Sequence, residues 1–182
     1  FQIVGLPDKG VEESRDRVSA ALKNTGFASP KTQNHKITVS LAPADIRKEG
    51  PVFDVPIALA YLKSTKELDV DLDKKVFVGE LSLKGDVERV KGALILAQGA
   101  KASGAKEIYL PKSNAKEAAL VEGIDVYGVS TLRELVDHLL GAHTMTPTPV
   151  TQIEYKQNEK SFVDFEDVKG QEAVKRALVI AA

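Results

Sequence analysis

Hydrophobic positions along this chain change their period several times, and each change marks the edge of an element. Phe1 to Val4 is apolar and β-prone, and Gly5-Leu6-Pro7-Asp8 ends it as a turn. From Lys9 to Thr25 the apolar residues Val11, Val18, Ala21 and Leu22 recur on one helical face. Asp8 is placed to cap that helix, Glu12 and Glu13 suit its positive end, and Gly26 closes it. Lys36 to Leu41 alternates like a half-buried strand, and Ala42 to Pro51 follows as a polar loop. A second helix is expected from about Asp54 to Thr65, with Asp54 as its cap and Pro56 tolerated in the first turn. Its residues Ile57, Ala58, Ala60, Tyr61 and Leu62 are expected to be largely buried.

The middle of the chain carries a hairpin pattern, Val76 to Leu83 joined through Lys84-Gly85-Asp86 to Val87 to Val90. Gly92 to Ser103 reads as an Ala-rich helix ending at Gly104, Glu107 to Leu110 as a short strand, and Ala115 to Val121 as a short helix. Asp125 to Tyr127 is a last strand, followed by a helix capped by Ser130 or Thr131 and running to Leu140. This mixed order with a hairpin inside predicts an α+β fold or a split α/β sheet. After Leu140 the periodicity is lost among prolines, threonines and a polar Gln-Asn-Glu-Lys run. Residues 141–161 are therefore expected to be a linker between a domain at 1–140 and a second module starting at 162.

Composition changes that picture little. The 182 residues hold one ordinary domain plus a tail, and 43% hydrophobic with 28% charged residues is the balance of a soluble globular chain. A formal net charge of −1 gives no global attraction to nucleic acid or acidic membranes, so any such contact is local. The absence of cysteine excludes disulfides and thiolate metal sites, and makes a cytoplasmic setting the simpler expectation. No apolar run approaches the roughly 18 residues of a membrane helix. The first residue is Phe1 and not Met, which places the true N-terminus and any targeting segment outside this sequence.

Two internal segments point to a chemistry. Lys48-Glu49-Gly50-Pro51-Val52-Phe53-Asp54, before an Ala/Leu-rich helix, resembles the Lys-Asp-Gly-Pro-Ser-Ala-Gly segment of Lon-type proteases. Gly79-Glu80-Leu81-Ser82-Leu83-Lys84-Gly85-Asp86-Val87, through Gly92, resembles their Gly-Glu-Ile-Thr-Leu-Arg-Gly segment, and Gly104 to Pro111 with Asn114 continue the match. The resemblance covers about Lys36 to Leu140 and implies the ribosomal-protein-S5-domain-2-like α+β fold of the Lon proteolytic domain. Lon-type proteolysis needs a serine nucleophile and a lysine base. By the same resemblance those positions fall on Val52 and Leu94, neither of which can serve, and both are expected to be buried where the dyad would stand. A displaced dyad would have to draw on Ser40, Ser64 or Ser82 with Lys48 or Lys91.

Further segments resemble a second family. They are Ile3-Val4-Gly5-Leu6-Pro7-Asp8, Glu13-Ser14-Arg15 with Arg17-Val18, Ala20-Ala21-Leu22, Ile37 to Asp45, and Arg47 to Gly50. These are similar to the N-terminal domain of the magnesium-chelatase-like AAA+ family of YifB/ComM type, a family linked to competence and branched-DNA processing. Val163 to Ala182 resembles the opening of an AAA+ module, which in that family leads to a glycine-rich phosphate-binding loop. No G-x-x-x-x-G-K-[ST] occurs in the sequence. The resemblance thus implies a degenerate Lon-like domain, a linker, and the start of an ATPase. It implies ATP and Mg2+ for the longer protein but no cofactor for this part. The implied partners are the rest of the AAA+ module, further copies in a homo-oligomeric ring, and DNA, but not a membrane. It places Val168, Gly170 and Gln171 at the edge of an adenine pocket, on a terminal helix expected to be poorly anchored here.

The charged residues admit two readings. Arg15, Arg17, Arg47 and Lys48, with Lys31 and Lys36, could converge on phosphates, or form a solvated face balanced by Glu12, Glu13, Asp16 and Glu49. Asp45, Glu49, Asp54 and Glu80 read as loop, cap and ion-pair partners in place of a catalytic cluster. His35, His138 and His143 lack the spacing of a zinc site and read as surface or capping residues, so no metal is expected. The combined expectation is a non-catalytic accessory domain serving oligomer organisation or DNA and substrate engagement. Two alternatives stand beside it: a peptidase with a displaced Ser/Lys dyad, and a metal-chelatase subunit.

Overall fold

Alternation along one strand divides the core. In the computed structural model, which describes residues 1–31, 36–152 and 167–181, β6 (Glu107–Pro111) is the middle strand of a parallel sheet. Its neighbours are β3 (Lys75–Phe77) and β7 (Asp125–Val129). Ile108 and Leu110 face one way and Tyr109 the other, following the two-residue period of a strand. Ile108 and Leu110 meet α3 (Ala93–Ala102) and α4 (Ala115–Ala118) through Ala93, Ala97, Ala100, Ala115 and Ala118, small residues that bring these helices close to the sheet. Tyr109 joins the larger cluster, built from α1 (Lys9–Asn24), α2 (Asp54–Ser64) and α5 (Leu132–Leu139).

Register sets an aromatic stack on that second face. Phe77, Tyr109 and Tyr127 are partners across the three strands, with ring centroids 4.9 and 4.8 Å apart. The Tyr109 hydroxyl donates to Glu107 at 2.6 Å, and Glu107 also receives the Lys75 ammonium. Burial, reinforced by the Glu107 carboxylate, pushes ionisation of Tyr109 far up, so its proton stays in place.

Two smaller pairings complete the described sheets. β1 (Gln2–Val4) runs parallel to β2 (Thr38–Ser40), and β4 (Glu80–Leu81) with β5 (Val87–Glu88) forms an antiparallel hairpin. The fold is α+β. On α1, Val11, Val18, Ala21 and Leu22 are all fully buried, as their spacing predicts. Burial of Val11, Val18 or Leu22 contributes about 1.5–3 kcal/mol each. Asp8 Oδ1 caps this helix by accepting from Val11 N–H at 2.8 Å.

The structure departs from the sequence pattern at four places. The strand expected from Val76 to Leu83 is broken at Val78-Gly79, because Gly79 N–H donates to Val52 C=O and Gly79 C=O accepts from Val55 N–H, at 3.0 and 3.1 Å. A Cβ at Gly79 would lie 2.9 Å from the Val55 side chain, so only glycine lets the sheet approach α2 this closely. The short helix after Asn114 stops at Ala118, and Ala60 of α2 is exposed. The fourth departure is the linker. The chain divides into two compact units, 1–151 and 152–182, so the first extends past Leu140. Met145 is nearly buried and donates its N–H to His138 Nδ1, Thr148 N–H bonds Val126 C=O, and Thr151 N–H bonds Ala119 C=O. Loss of periodicity there marks an extended strap on the domain.

In the second unit, α6 (Glu172–Ala181) follows Gly170 and Gln171, both with positive φ. Lys175 N–H bonds Gln171 C=O at 2.9 Å, and Val174, Leu178 and Val179 are exposed. The start of the AAA+-like segment, 163–166, and His35 lie outside the described residues. No helix among the described residues is long and apolar enough to cross a membrane.

Candidate functional site

The loop between β2 and α2 is stitched to the start of α1. Asp8 N–H donates to Lys48 C=O and Lys48 N–H to Leu6 C=O, at 3.0 and 3.1 Å. While Oδ1 of Asp8 caps α1, its Oδ2 accepts from Gly50 N–H at 3.1 Å. These two backbone donors, Val11 first, hold the Asp8 carboxyl below its ordinary range, and nearby Arg47 adds to the effect. Gly50 then turns the chain with φ +79°, which starts a short 3-10 turn at Pro51–Phe53 and then α2.

Lys48 holds the same loop from inside. It is 6% exposed, and its ammonium donates to Ile46 C=O at 2.8 Å and to Pro43 C=O. It is therefore a loop brace and not the phosphate contact that the sequence suggested. Arg17 is corrected in the same way. Its guanidinium clamps Asp54 through Nε–Oδ2 at 2.6 Å and Nη2–Oδ1 at 3.0 Å, and also donates to Gly10 C=O at 2.8 Å. Asp54 is 0% exposed and accepts a further bond from Leu81 N–H at 3.0 Å. It joins α1, α2 and β4 and does not cap α2 with its side chain. Hydrogen bonding to Asp54 raises the Arg17 pKa further, so the guanidinium keeps its charge.

Beside this clamp lies a cavity of about 440 Å3 lined by Glu49, Gly50, Pro51, Val52, Glu80, Arg89, Val90 and Lys91. Val52 faces it and is half-buried, as is Leu94, so the expectation that both are sealed in the core is incorrect. Val52 lies in the 3-10 turn ahead of α2, with its C=O accepting from Gly79 N–H at 3.0 Å. Leu94 lies in the first turn of α3, with its N–H bonded to Glu117 Oε1 at 3.2 Å. Neither position offers a nucleophile or a base. The alternative serines have other roles. Ser82 Oγ organises its hairpin turn with Asp86, and Ser64 Oγ donates to Tyr61 C=O. Ser40 is exposed on β2.

Arg15 and Arg47 remain at the surface, 50% and 70% exposed, in ion pairs with Asp16 at 3.4 Å and Glu49 at 3.8 Å. Lys31 also pairs with Asp16, at 2.7 Å. His138 stands between Met145 N–H and the Tyr109 hydroxyl, and no group of three metal-ligating side chains occurs among the described residues. Val168 and Gly170 are exposed ahead of α6, with Gln171 beside them.

Sequence reasoning missed the segment that faces Val52. Asn114, fully buried, holds both backbone groups of Val90, accepting from its N–H at 2.9 Å and donating to its C=O at 3.0 Å. In the sequence Asn114 only continues the Lon-like match, and its partner lies 24 positions back, beyond the reach of local pattern.

An α+β domain with Lon-like segments has the Lon-like fold. Lon protease 2 of Bacillus subtilis is 28% identical over 70% of this chain and 22% of its own length. Residues 1–114 match the family model described as subunit ChlI of Mg-chelatase. The competence protein ComM of Haemophilus influenzae is 40% identical over 100% of this chain and 36% of its own length. The uncharacterized protein YifB of Escherichia coli is 39% identical over 99% of the chain and 34% of its own. The chain belongs to the magnesium-chelatase-like family, in its YifB/ComM branch. It spans about a third of the length of these two relatives.

Proposed function

We propose that this chain is a non-catalytic accessory domain joined to the start of an AAA+ ATPase, serving ring assembly or DNA engagement for the motor. The observation that carries the reading is that Val52 on the cavity wall and Leu94 in the first turn of α3 are hydrocarbon side chains at the positions where the Lon resemblance puts the reacting groups. On that resemblance, both reacting groups are replaced by hydrocarbon. Such a domain can bind and orient, but it has no activated nucleophile.

In the longer protein ATP and Mg2+ would be the cofactors. The residues present include no phosphate-binding loop, so no step of hydrolysis is assigned to them. Val168, Gly170 and Gln171 would border the adenine. The expected partners are the rest of the AAA+ module, further copies of the chain in a ring, and DNA reached through exposed cations such as Arg15 and Arg47. A cytoplasmic location fits this work. The displaced-dyad reading is weaker because Ser82 and Ser64 already have hydrogen-bond roles and Lys48 is bound inside its loop. The chelatase reading has no ligand cluster to support it among the described residues.

The test compares the DNA-stimulated ATPase rate of the full-length protein with that of a variant lacking residues 1–151. Loss of stimulation or of ring assembly, with basal hydrolysis retained, is the expected result. Unchanged assembly and unchanged stimulation would remove the accessory role.

A further inference from the structure

We propose that Arg89 and Lys91 form a preorganised contact for the phosphate backbone of a nucleic acid, at the mouth of the cavity beside Val52. This rests on the DNA-engagement reading above and names the residues that would carry it.

Four observations combine. First, both cations line the same cavity, and both are exposed. Second, Val90 between them is turned inward and 5% exposed, while Arg89 and Lys91 on either side of it are exposed. Third, the segment is rigid. Asn114 fixes both backbone groups of Val90, and Glu117 fixes Leu94 N–H, so the two side chains project from a backbone that is already ordered. Fourth, the charges are free. Neither Arg89 nor Lys91 forms an ion pair among the described residues. Of the two carboxylates at the same cavity, Glu49 pairs with Arg47 at 3.8 Å, while Glu80 acts on Arg17 only through its field.

A guanidinium fork beside a mobile ammonium is suited to phosphate oxygens, the first fixing geometry and the second following the chain. Arg17 and Lys48 are occupied internally, and Arg15 and Arg47 carry paired charges, which leaves this pair as the better-built contact.

The experiment measures binding of a labelled oligonucleotide, single-stranded and duplex, to the 182-residue chain by fluorescence anisotropy across a series of salt concentrations. The double variant Arg89→Ser, Lys91→Ser is compared with Lys23→Ser, Lys66→Ser, which removes the same charge elsewhere on the surface. Expected is roughly tenfold weaker binding for the first variant. Its log–log salt slope should fall by about 1.4 on a single strand and about 1.8 on a duplex, as for two lost phosphate contacts. The control should keep its slope. If oligonucleotides bind and both variants keep the slope, this assignment is wrong while DNA engagement stands. If the unsubstituted chain binds no oligonucleotide, both readings fall, and binding of polyglutamate instead would make the groove a site for acidic peptide.

Discussion

Arg17 Nε lies 2.6 Å from Asp54 Oδ2, although the residues stand 37 positions apart, and Asp54 has no exposed surface. The bidentate geometry, with Leu81 N–H as a third donor, meets the condition under which a buried ion pair recovers its desolvation. The pair ties the first helix, the second helix and the hairpin together behind the cavity. Removing either partner strands the other charge. Arg17→Ala or Asp54→Ala should each destabilise by about 3–5 kcal/mol, measured by denaturant unfolding. The double variant should lose less than the sum. Strict additivity would show that the two side chains do not interact.

Acid should weaken the first unit through a specific set of carboxyls. Burial alone would raise the Glu107 pKa, but the hydrogen bonds from Lys75 and Tyr109 outweigh it and hold the group below 4.5. Asp16 is lowered by Lys31 and Arg15. A carboxyl whose folded pKa is depressed stabilises the fold above its unfolded pKa, and that stability is lost as pH falls through the folded value. Stability should therefore be level near neutrality and decline below about pH 4.5. Glu107→Gln should lower the plateau and flatten the decline in thermal melts taken across pH. An unchanged slope would mean that Glu107 is not held low.

The strap gives a boundary test. Met145 is 9% exposed, and the strap around it is bonded to His138, Val126 and Ala119. A chain ending at Thr151 should keep the melting temperature of the first unit. One ending at Leu140 should lose the anchor, with a penalty in the range of about 2–5 kcal/mol known for truncating a buried methionine. Met145→Ala in the longer chain should reproduce much of it. Equal melting of the two truncated chains would return the boundary to Gly141.

Much of the fold was legible because its signals are local. Four apolar residues on one helical face, a capping aspartate and a closing glycine located α1 within a residue. The Lys84-Gly85-Asp86 turn located the hairpin for the same reason. What stayed hidden depends on partners distant in sequence. Nothing near Arg17 announces Asp54, and nothing near Lys48 shows that its ammonium bends back onto Pro43 and Ile46. A charged residue in a polar loop reads as solvated until its acceptors are seen. The strand from Val76 to Leu83 also looked continuous, because a glycine bonded to a neighbouring helix start leaves no mark beyond the glycine. The candidate site was half legible: resemblance pointed to Val52 and Leu94, but their exposure and the Asn114 clamp depend on residues distant in sequence.

Val52 and Leu94 stand where the Lon resemblance puts the dyad, and neither can act as a nucleophile or a base. The chain should hydrolyse neither casein nor unstructured peptides, and Val52→Ser with Leu94→Lys should gain no measurable rate. A serine at 52 would still have its carbonyl tied to Gly79 and the bulk of Phe53 beside it. A lysine at 94 would enter a helix turn whose N–H is already bonded to Glu117. Catalysis needs the serine and its base within hydrogen-bond reach, held by their surroundings, and restoring residue types alone does not rebuild that support. Peptide cleavage by the unsubstituted chain, abolished by Ser82→Ala or Lys91→Ala, would show that a displaced dyad operates and that the domain is an enzyme.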